Sequence, residues 1–340
     1  MNNKTVLITG ISGFIAKHCA IELLRHGYCV RGTVRSASKA EEVKATLSRH
    51  CDISRLECVE ADLLSDKGWA LAMQGLHGVL HLASPFPLNE PKDPQELIRP
   101  AVDGTLRVLK AAIAAQVPRF VQTSSTVAVA FGHPKDRTAP FTEDDWTVLA
   151  NPAVSSYGRS KTMAERAARD LMDSAKPAIH FSTVNPGFVL GPLLDRDMGS
   201  SGEAILMFLR GKYPGCPRLS FPVVDVRDVA KMQRLALETT EPSGGRYLAV
   251  SGTAWFQDMM RPIKAKLGVH AKKVPTSELP NFLIRLIGIF DPTARAIVPD
   301  LGLYIGVDNR RTRIALGMEF IGVEESAPAM AQSLVDLGLA

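Results

Sequence analysis

The chain has 340 residues, 46% of them hydrophobic and 22% charged, so it can bury a substantial core and sits at the length where a large domain begins to carry a smaller lobe. Its net charge of +5 arises from 40 basic and 35 acidic residues interspersed along the sequence, which excludes a like-charged arm for nucleic acid. Five cysteines, at 19, 29, 51, 58 and 216, form no C-x-x-C pair and fit reduced, mostly core thiols in a cytosol better than a disulfide framework.

Met1-Asn2-Asn3-Lys4 leads straight into Thr5–Thr9, too short an apolar run and too soon followed by glycine to be the centre of a signal peptide. From there short β-rich runs alternate with longer helical patterns, the signature of a parallel sheet covered by helices. Strands are predicted at Thr5–Thr9, Cys29–Val34, Leu56–Glu60, Gly78–Leu82, Phe120–Ser124 and His180–Val184. Helices are predicted near 14–26, 38–49, 66–74, 94–116 and 154–175. Right-handed crossovers then give an α/β fold, a doubly wound parallel Rossmann sheet with its ligand crevice at the carboxyl ends of the strands.

After Asn185-Pro186-Gly187 the alternation fades into segments rich in Pro and Gly. Val223 to Ala230 opens another helix, Arg246–Val250 is placed as one more strand of the main sheet, and about 252–340 reads as mostly helical. Phe282 to Phe290, bounded by Pro280 and Pro292, is expected to be a buried or pocket-lining helix, with a membrane-surface helix as the weaker alternative. No stretch has the length of a membrane span.

Strand, glycine turn and helix meet at Thr9-Gly10-Ile11-Ser12-Gly13-Phe14-Ile15-Ala16, where two glycines allow a tight turn and bring backbone N–H groups against a pyrophosphate at a helix N-terminus. A G-x-x-G turn alone also serves plain corner geometry; its position after the first strand favours the dinucleotide reading. At the end of the second strand an NAD-selective site would carry an acid for the ribose 2′-OH, whereas this chain reads Thr33-Val34-Arg35-Ser36-Ala37-Ser38-Lys39. Arg35 and Lys39 suit a 2′-phosphate that an acid would repel, so NADP(H) is the expected cofactor; the plain alternative is a solvated arginine and lysine. Asp62 either accepts from the adenine amino group or caps a helix.

Tyr157 and Lys161 are four residues apart in Ser156-Tyr157-Gly158-Arg159-Ser160-Lys161, which sets a phenol and an ammonium on one helical face. A tyrosine trading protons near neutrality needs its pKa lowered by roughly three units, which the lysine and a cationic nicotinamide would supply. Chance also produces this spacing, so its weight comes from its neighbours. Thr123-Ser124-Ser125 ends the fifth strand on the same rim, with Ser125 able to hold a substrate oxygen or simply to make turn contacts.

Together, Thr9-Gly10-x-x-Gly13-x-x-Ala16, Asp62-Leu63, Thr123-Ser124-Ser125, Tyr157-x-x-x-Lys161 and Asn185-Pro186-Gly187 stand in the order and spacing of the extended short-chain dehydrogenase/reductases. Val30 to Arg35, His81-Leu82-Ala83-Ser84-Pro85, Ser160 to Glu165 and Val224 to Ala230 resemble the branch of dihydroflavonol 4-reductases, cinnamoyl-CoA reductases and aldehyde and ketone reductases, over about residues 4–250. That resemblance implies carbonyl reduction, with hydride from NADPH, a proton from Tyr157, a hydrogen bond from Ser125 to the carbonyl oxygen, and Lys161 lowering the tyrosine pKa and holding the nicotinamide ribose. It further implies that Gly10, Gly13, Phe14 and Ile15 approach the pyrophosphate, Asp62 and Leu63 the adenine, Ala83 and Ser84 the central ribose, and Pro186 and Val189 the nicotinamide. The corresponding division assigns 1–185, with about 222–250, to NADP binding, and 186–221 and 251–340 to a substrate lobe.

Plant dihydroflavonol reductases often place Asn five residues beyond the catalytic serine, where this chain has Ala130, so a flavonoid is a poor fit. Phe86, Ala130, Phe131, Phe188, Met207 and Phe208 suggest an apolar pocket for a bulky or aromatic carbonyl, and each is equally explicable as core. Three other functions compete: a sugar-nucleotide epimerase or dehydratase, a hydroxysteroid dehydrogenase, and an NADP-sensing regulatory protein without turnover. The expected partner is a small-molecule carbonyl, with no metal, nucleic acid or membrane, in a cytoplasmic monomer or homodimer.

Overall fold

A computed structural model of the chain describes residues 4–84, 93–240 and 245–340. Strand β1 (Thr5–Thr9) leads into α1 (Phe14–Arg25), followed by β2 (Cys29–Val34), α2 (Ala37–Leu47), β3 (Leu56–Glu60), α3 (Trp69–Ala72), β4 (Leu76–His81), α4 (Gln95–Ala114), β5 (Arg119–Thr123), α5 (Ser156–Ala175) and β6 (His180–Pro186). Then come β7 (Phe188–Leu190), α6 (Gly199–Leu209), β8 (Ser220–Asp225), α7 (Val226–Glu238), β9 (Gly245–Ala249), β10 (Gly252–Trp255), α8 (Phe256–Leu267), α9 (Asn281–Phe290), α10 (Pro292–Ile297), α11 (Arg310–Leu316) and α12 (Val323–Asp336).

The main sheet has seven strands in the order β3-β2-β1-β4-β5-β6-β9, every neighbouring pair parallel. Its strands are apolar on both faces because both are covered by helices. Val6, Ile8, Leu80, Val121 and Val184 pack against Cys19, Ala20 and Leu23 of α1 and Val229, Met232 and Ala236 of α7. The alternate strand residues Leu7, Val79, Phe120 and Phe181 point to the other side, against Val108, Leu109 and Ala112 of α4 and Ala168 of α5. A second, three-stranded sheet, β10-β8-β7, is antiparallel between β10 and β8 and carries a separate core on α6, α8 and α12. Parallel pairing puts the ends of β1, β4, β5 and β6 on one rim, where the functional residues gather.

The doubly wound sheet expected from the sequence is present, including the return of the strand near 246 as its seventh member. The expected helix over 66–74 shrinks to Trp69–Ala72, because Gly68 stands at φ +90°, outside the helical region, and a side chain there would strike the Glu60 carbonyl at 2.4 Å. Phe282–Phe290 forms a helix, but the expectation of burial is corrected. Of α9 only Ile284 and Gly288 are buried, while Phe282 is 67% and Phe290 83% exposed. Its packed edge includes Gly288, where a side chain would meet the Arg295 backbone at 3.1 Å. Cys19 and Cys216 are buried, the other three cysteines are partly so, and all five are free thiols. Among the described residues no helix is long and apolar enough to cross a membrane, and no cluster of His, Cys, Asp or Glu is arranged to hold a metal.

Candidate active site

The turn after β1 is shaped by its backbone. Gly10 lies at φ +63°, and a side chain there would meet the Ala83 Cβ at 3.1 Å, so the turn packs directly on the chain leaving β4. Gly10 N–H donates to Thr33 Oγ1 at 2.9 Å, and Gly13 N–H returns to the Gly10 carbonyl at 3.0 Å. Gly13 is also the N-cap of α1 and supplies no side-chain acceptor, so the positive end of α1 is left for an anion rather than spent on an internal cap. Thr9 Oγ1 accepts from Leu82 N–H at 3.0 Å and Ala83 N–H at 2.9 Å, tying the ends of β1 and β4 together. With its acceptor capacity so used, the Thr9 hydroxyl donates to His81 Nδ1 at 2.9 Å, which leaves the ring proton on Nε2 facing Thr105 Oγ1. Burial first, and the nearby Lys161 charge second, push the His81 pKa down to about 3, so the ring is neutral.

At the end of β2, Arg35 is exposed and makes no hydrogen bond or ion pair among the described residues. Ser36 caps α2 by accepting from Lys39 N–H at 3.4 Å, and Lys39 Nζ pairs with Glu42 at 2.5 Å. Of the two cations at this strand end, Arg35 is therefore the uncommitted one. Asp62 Oδ1 accepts from Leu64 N–H at 2.9 Å in a local turn, so its capping is of that turn and not of a helix. Leu63 packs on α4, where a side chain at Gly104 would meet its Cβ at 3.1 Å. The glycine turn, the uncapped helix end and the free guanidinium together fit a phosphorylated dinucleotide.

Ser125 follows β5 and is 8% exposed. Its hydroxyl donates to the Pro186 carbonyl at 3.4 Å, accepts from Val127 N–H at 3.3 Å, and shares a hydrogen bond with the Tyr157 hydroxyl. Tyr157 stands in the first turn of α5, which Ser155 starts by accepting from Gly158 N–H at 3.1 Å. Lys161 is one turn on, its Nζ 5.9 Å from the centroid of the Tyr157 ring, with no hydrogen-bond or ion-pair partner among the described residues. Burial pushes the Tyr157 pKa up to about 12, with the Ser125 hydrogen bond opposing weakly, and burial pulls Lys161 down to about 8 against the charge of Glu165. The lysine and cationic nicotinamide expected to lower the tyrosine pKa would act against this burial.

Behind these groups lies a buried carboxylate. Glu165, fully buried, accepts from Ser124 Oγ at 2.5 Å, Asn185 Nδ2 at 2.8 Å, Thr183 Oγ1 at 3.3 Å, Arg246 Nε at 2.7 Å and Arg169 Nε at 3.4 Å. Burial alone would raise its pKa; the two arginines and the serine hydrogen bond outweigh that and hold it below the usual range. Asn185 Nδ2 also donates to the Ser125 carbonyl at 3.2 Å, so one side chain bridges Glu165 to the serine. Arg246, on β9, further donates to the carbonyls of Glu143, Asp145 and Ala128 and stacks over Trp146 at 3.8 Å. Glu165 and Arg246 carried no role in the sequence reading. The i, i+4 relation of Glu165 to Lys161 was the available signal for the first, and none existed for the second.

The proposed pocket residues fall in different places. Phe86, like Pro85, lies outside the described residues. Ala130 is enclosed in a small core with Val129, Phe141, Leu248 and Val250, and Phe131 packs on its edge together with Ile305 and Val307. Phe188 lies 5.0 Å from Phe221, ring to ring, at the start of the second sheet. Phe208 is buried against Phe256 at 4.7 Å, and Met207 Sδ accepts from the Tyr213 hydroxyl at 3.5 Å. Pro186 is buried at the end of β6, while Ser84, Ala83, Ile15 and Val189 are partly exposed and Phe14 is tucked against the ring of His18 at 5.6 Å. The C-terminal strap reaches this region by Phe141 N–H bonding the Gly306 carbonyl at 2.8 Å, a contribution with no local sequence signal.

The profile of the NAD dependent epimerase/dehydratase family matches residues 6–249. Cinnamoyl-CoA reductase CAD2 of Medicago truncatula is 38% identical over 77% of this chain and 80% of its own length. Ketoreductase azaE of Aspergillus niger is 34% identical over 93% of both chains. Among solved structures, Gre2 of Candida albicans in complex with NADPH superposes with a TM-score of 0.83 at 29% identity, covering 98% of this chain and 99% of its own.

Proposed function

Because the chain belongs to the NAD dependent epimerase/dehydratase family, within the extended short-chain dehydrogenase/reductases, we propose that it reduces an aldehyde or ketone to an alcohol with Tyr157 as proton donor. It is an NADP-dependent oxidoreductase, and its relatives support carbonyl reduction as the general reaction. The observation that carries the finer reading is the hydrogen bond between Tyr157 and Ser125 beside an uncommitted Lys161.

In this reading Gly10, Gly13, Phe14 and Ile15 hold the pyrophosphate of NADPH, Arg35 the 2′-phosphate with Lys39 behind it, Asp62 and Leu63 the adenine, Ala83 and Ser84 the central ribose, and Pro186 and Val189 the nicotinamide end. When bound, NADPH supplies the hydride. Ser125 donates a hydrogen bond to the carbonyl oxygen and Tyr157, protonated at neutral pH, passes it a proton, with the Lys161 ammonium opposing the burial that raises the phenol pKa. Lys161 Nζ holds the nicotinamide ribose and offsets negative charge left on the phenolate. Residues 1–185 with about 222–250 form the cofactor domain; 186–221 and 251–340 form the substrate lobe.

The apolar character of Phe131, Phe188 and Met207 supports a bulky or aromatic carbonyl, with Phe86 a further candidate. Ala130 and Phe208 contribute to the wall from the core behind it. Purified protein assayed for NADPH loss across a carbonyl panel tests the reading; no turnover with any member would defeat it.

A further inference from the structure

We propose that Glu165 is a positioning residue that keeps Lys161 in its ammonium form and locks the backbone of Ser125, acting through space on the first and through Asn185 on the second. The inference rests on the reductase reading only for the roles it gives those two residues. Glu165 lies one helical turn beyond Lys161 on the same face of α5 and is fully buried. No ion pair within contact distance joins the two among the described residues, so the carboxylate acts on the ammonium as a field rather than as a partner, and Nζ stays free for a ligand.

Five side chains from the turn after β5 and from β6, β9 and α5 fix the carboxylate: Ser124, Thr183, Asn185, Arg246 and Arg169. Because Asn185 Nδ2 reaches both Glu165 at 2.8 Å and the Ser125 carbonyl at 3.2 Å, the position of the serine depends on where the carboxylate is held. Lys161 is faced by Tyr157 and Glu165 on its own helix and by His81 from β4, which is neutral. Glu165 is faced by the cations Arg169 and Arg246, which partly cancel its field. Removing the anion should therefore lower the Lys161 midpoint, and removing one of its cations should raise it, both by strengthening the Glu165 field and by loss of a like charge.

The experiment measures the titration midpoint of the Lys161 amine in the full-length protein, from the pH dependence of its acylation by acetic anhydride read by peptide mass spectrometry. Carbonyl turnover is a separate assay, so a failed reductase reading and a failed inference remain distinguishable. Arg169 side chain is 20% exposed and lines a surface cavity of about 320 Å³, so Arg169→Gln should fold even where Glu165→Gln does not. The expected result is a midpoint about half a pH unit higher in Arg169→Gln and about as much lower in Glu165→Gln. A midpoint in Arg169→Gln that equals or falls below the unmodified protein's overturns the proposal, as does an unchanged or raised midpoint in a folded Glu165→Gln.

Discussion

Lys161 Nζ lies over the face of the Tyr157 ring, 5.9 Å from its centroid, while the Tyr157 hydroxyl bonds to Ser125. The lysine therefore leaves the phenol oxygen to the serine and to the substrate. In the protein alone burial pushes the Tyr157 pKa up to about 12, so the residue is a phenol at neutral pH, and giving its proton to a reduced carbonyl needs the Lys161 charge to offset the phenolate left behind.

This arrangement sets the pH dependence. Turnover needs Tyr157 as phenol and Lys161 as ammonium. Lys161, pulled by burial to about 8, loses its proton first as pH rises, long before Tyr157. Reduction rates should be flat below neutrality and fall through about pH 8, with one proton lost. A kcat profile that holds level to pH 10 would place the controlling group elsewhere.

Ser125→Ala removes the hydroxyl shared with Tyr157 and the hydrogen bond offered to the developing oxyanion. Loss of one such donor costs about 10²–10³ in kcat. The affinity for NADPH, read by its fluorescence on binding, should stay near that of the unaltered protein.

Arg35→Ala should weaken NADPH and leave NADH nearly untouched. A charge-assisted contact to the 2′-phosphate is worth roughly 1.5–3 kcal/mol, about tenfold to a hundredfold in affinity, with the exposed position of Arg35 favouring the lower figure. Equal loss for both cofactors, or none, would count against the arginine as the selector.

Asp228 gives a stability test away from the chemistry. Burial raises its pKa to about 6, with the Ile321 N–H hydrogen bond opposing, so the folded state binds its proton more tightly than the unfolded chain does. Stability tied to this group is present at low pH and is lost as pH rises through about 6. Asp228→Asn keeps an acceptor for Ile321 and removes the buried charge; it should raise stability by up to about 2 kcal/mol at pH 8 and by little at pH 4, measured by urea unfolding.

The central strands were readable because parallel strands covered on both faces are apolar throughout, as Val6, Leu7 and Ile8 are. The glycine turn, Ser125 and the Tyr157/Lys161 pair were readable because each is local, set by a strand end or one helical turn. The Glu165–Arg246 pair was not, because its members stand 81 residues apart and meet only through the pairing of β6 with β9. Apolar content misled at α9, since hydrophobicity states what a helix prefers and not what the rest of the chain provides to cover it. Helix α3 starts late for a backbone reason, the left-handed Gly68 at its N-cap, that propensity over a window averages away.

The most direct test of the account is Tyr157→Phe, with carbonyl-dependent NADPH oxidation and NADPH binding measured on the same preparation. Loss of the phenolic proton with the ring retained should lower turnover by about 10²–10⁴ while NADPH affinity changes less than about threefold. A variant that reduces the carbonyl as fast as the unaltered protein would contradict the assignment of Tyr157 as the proton donor.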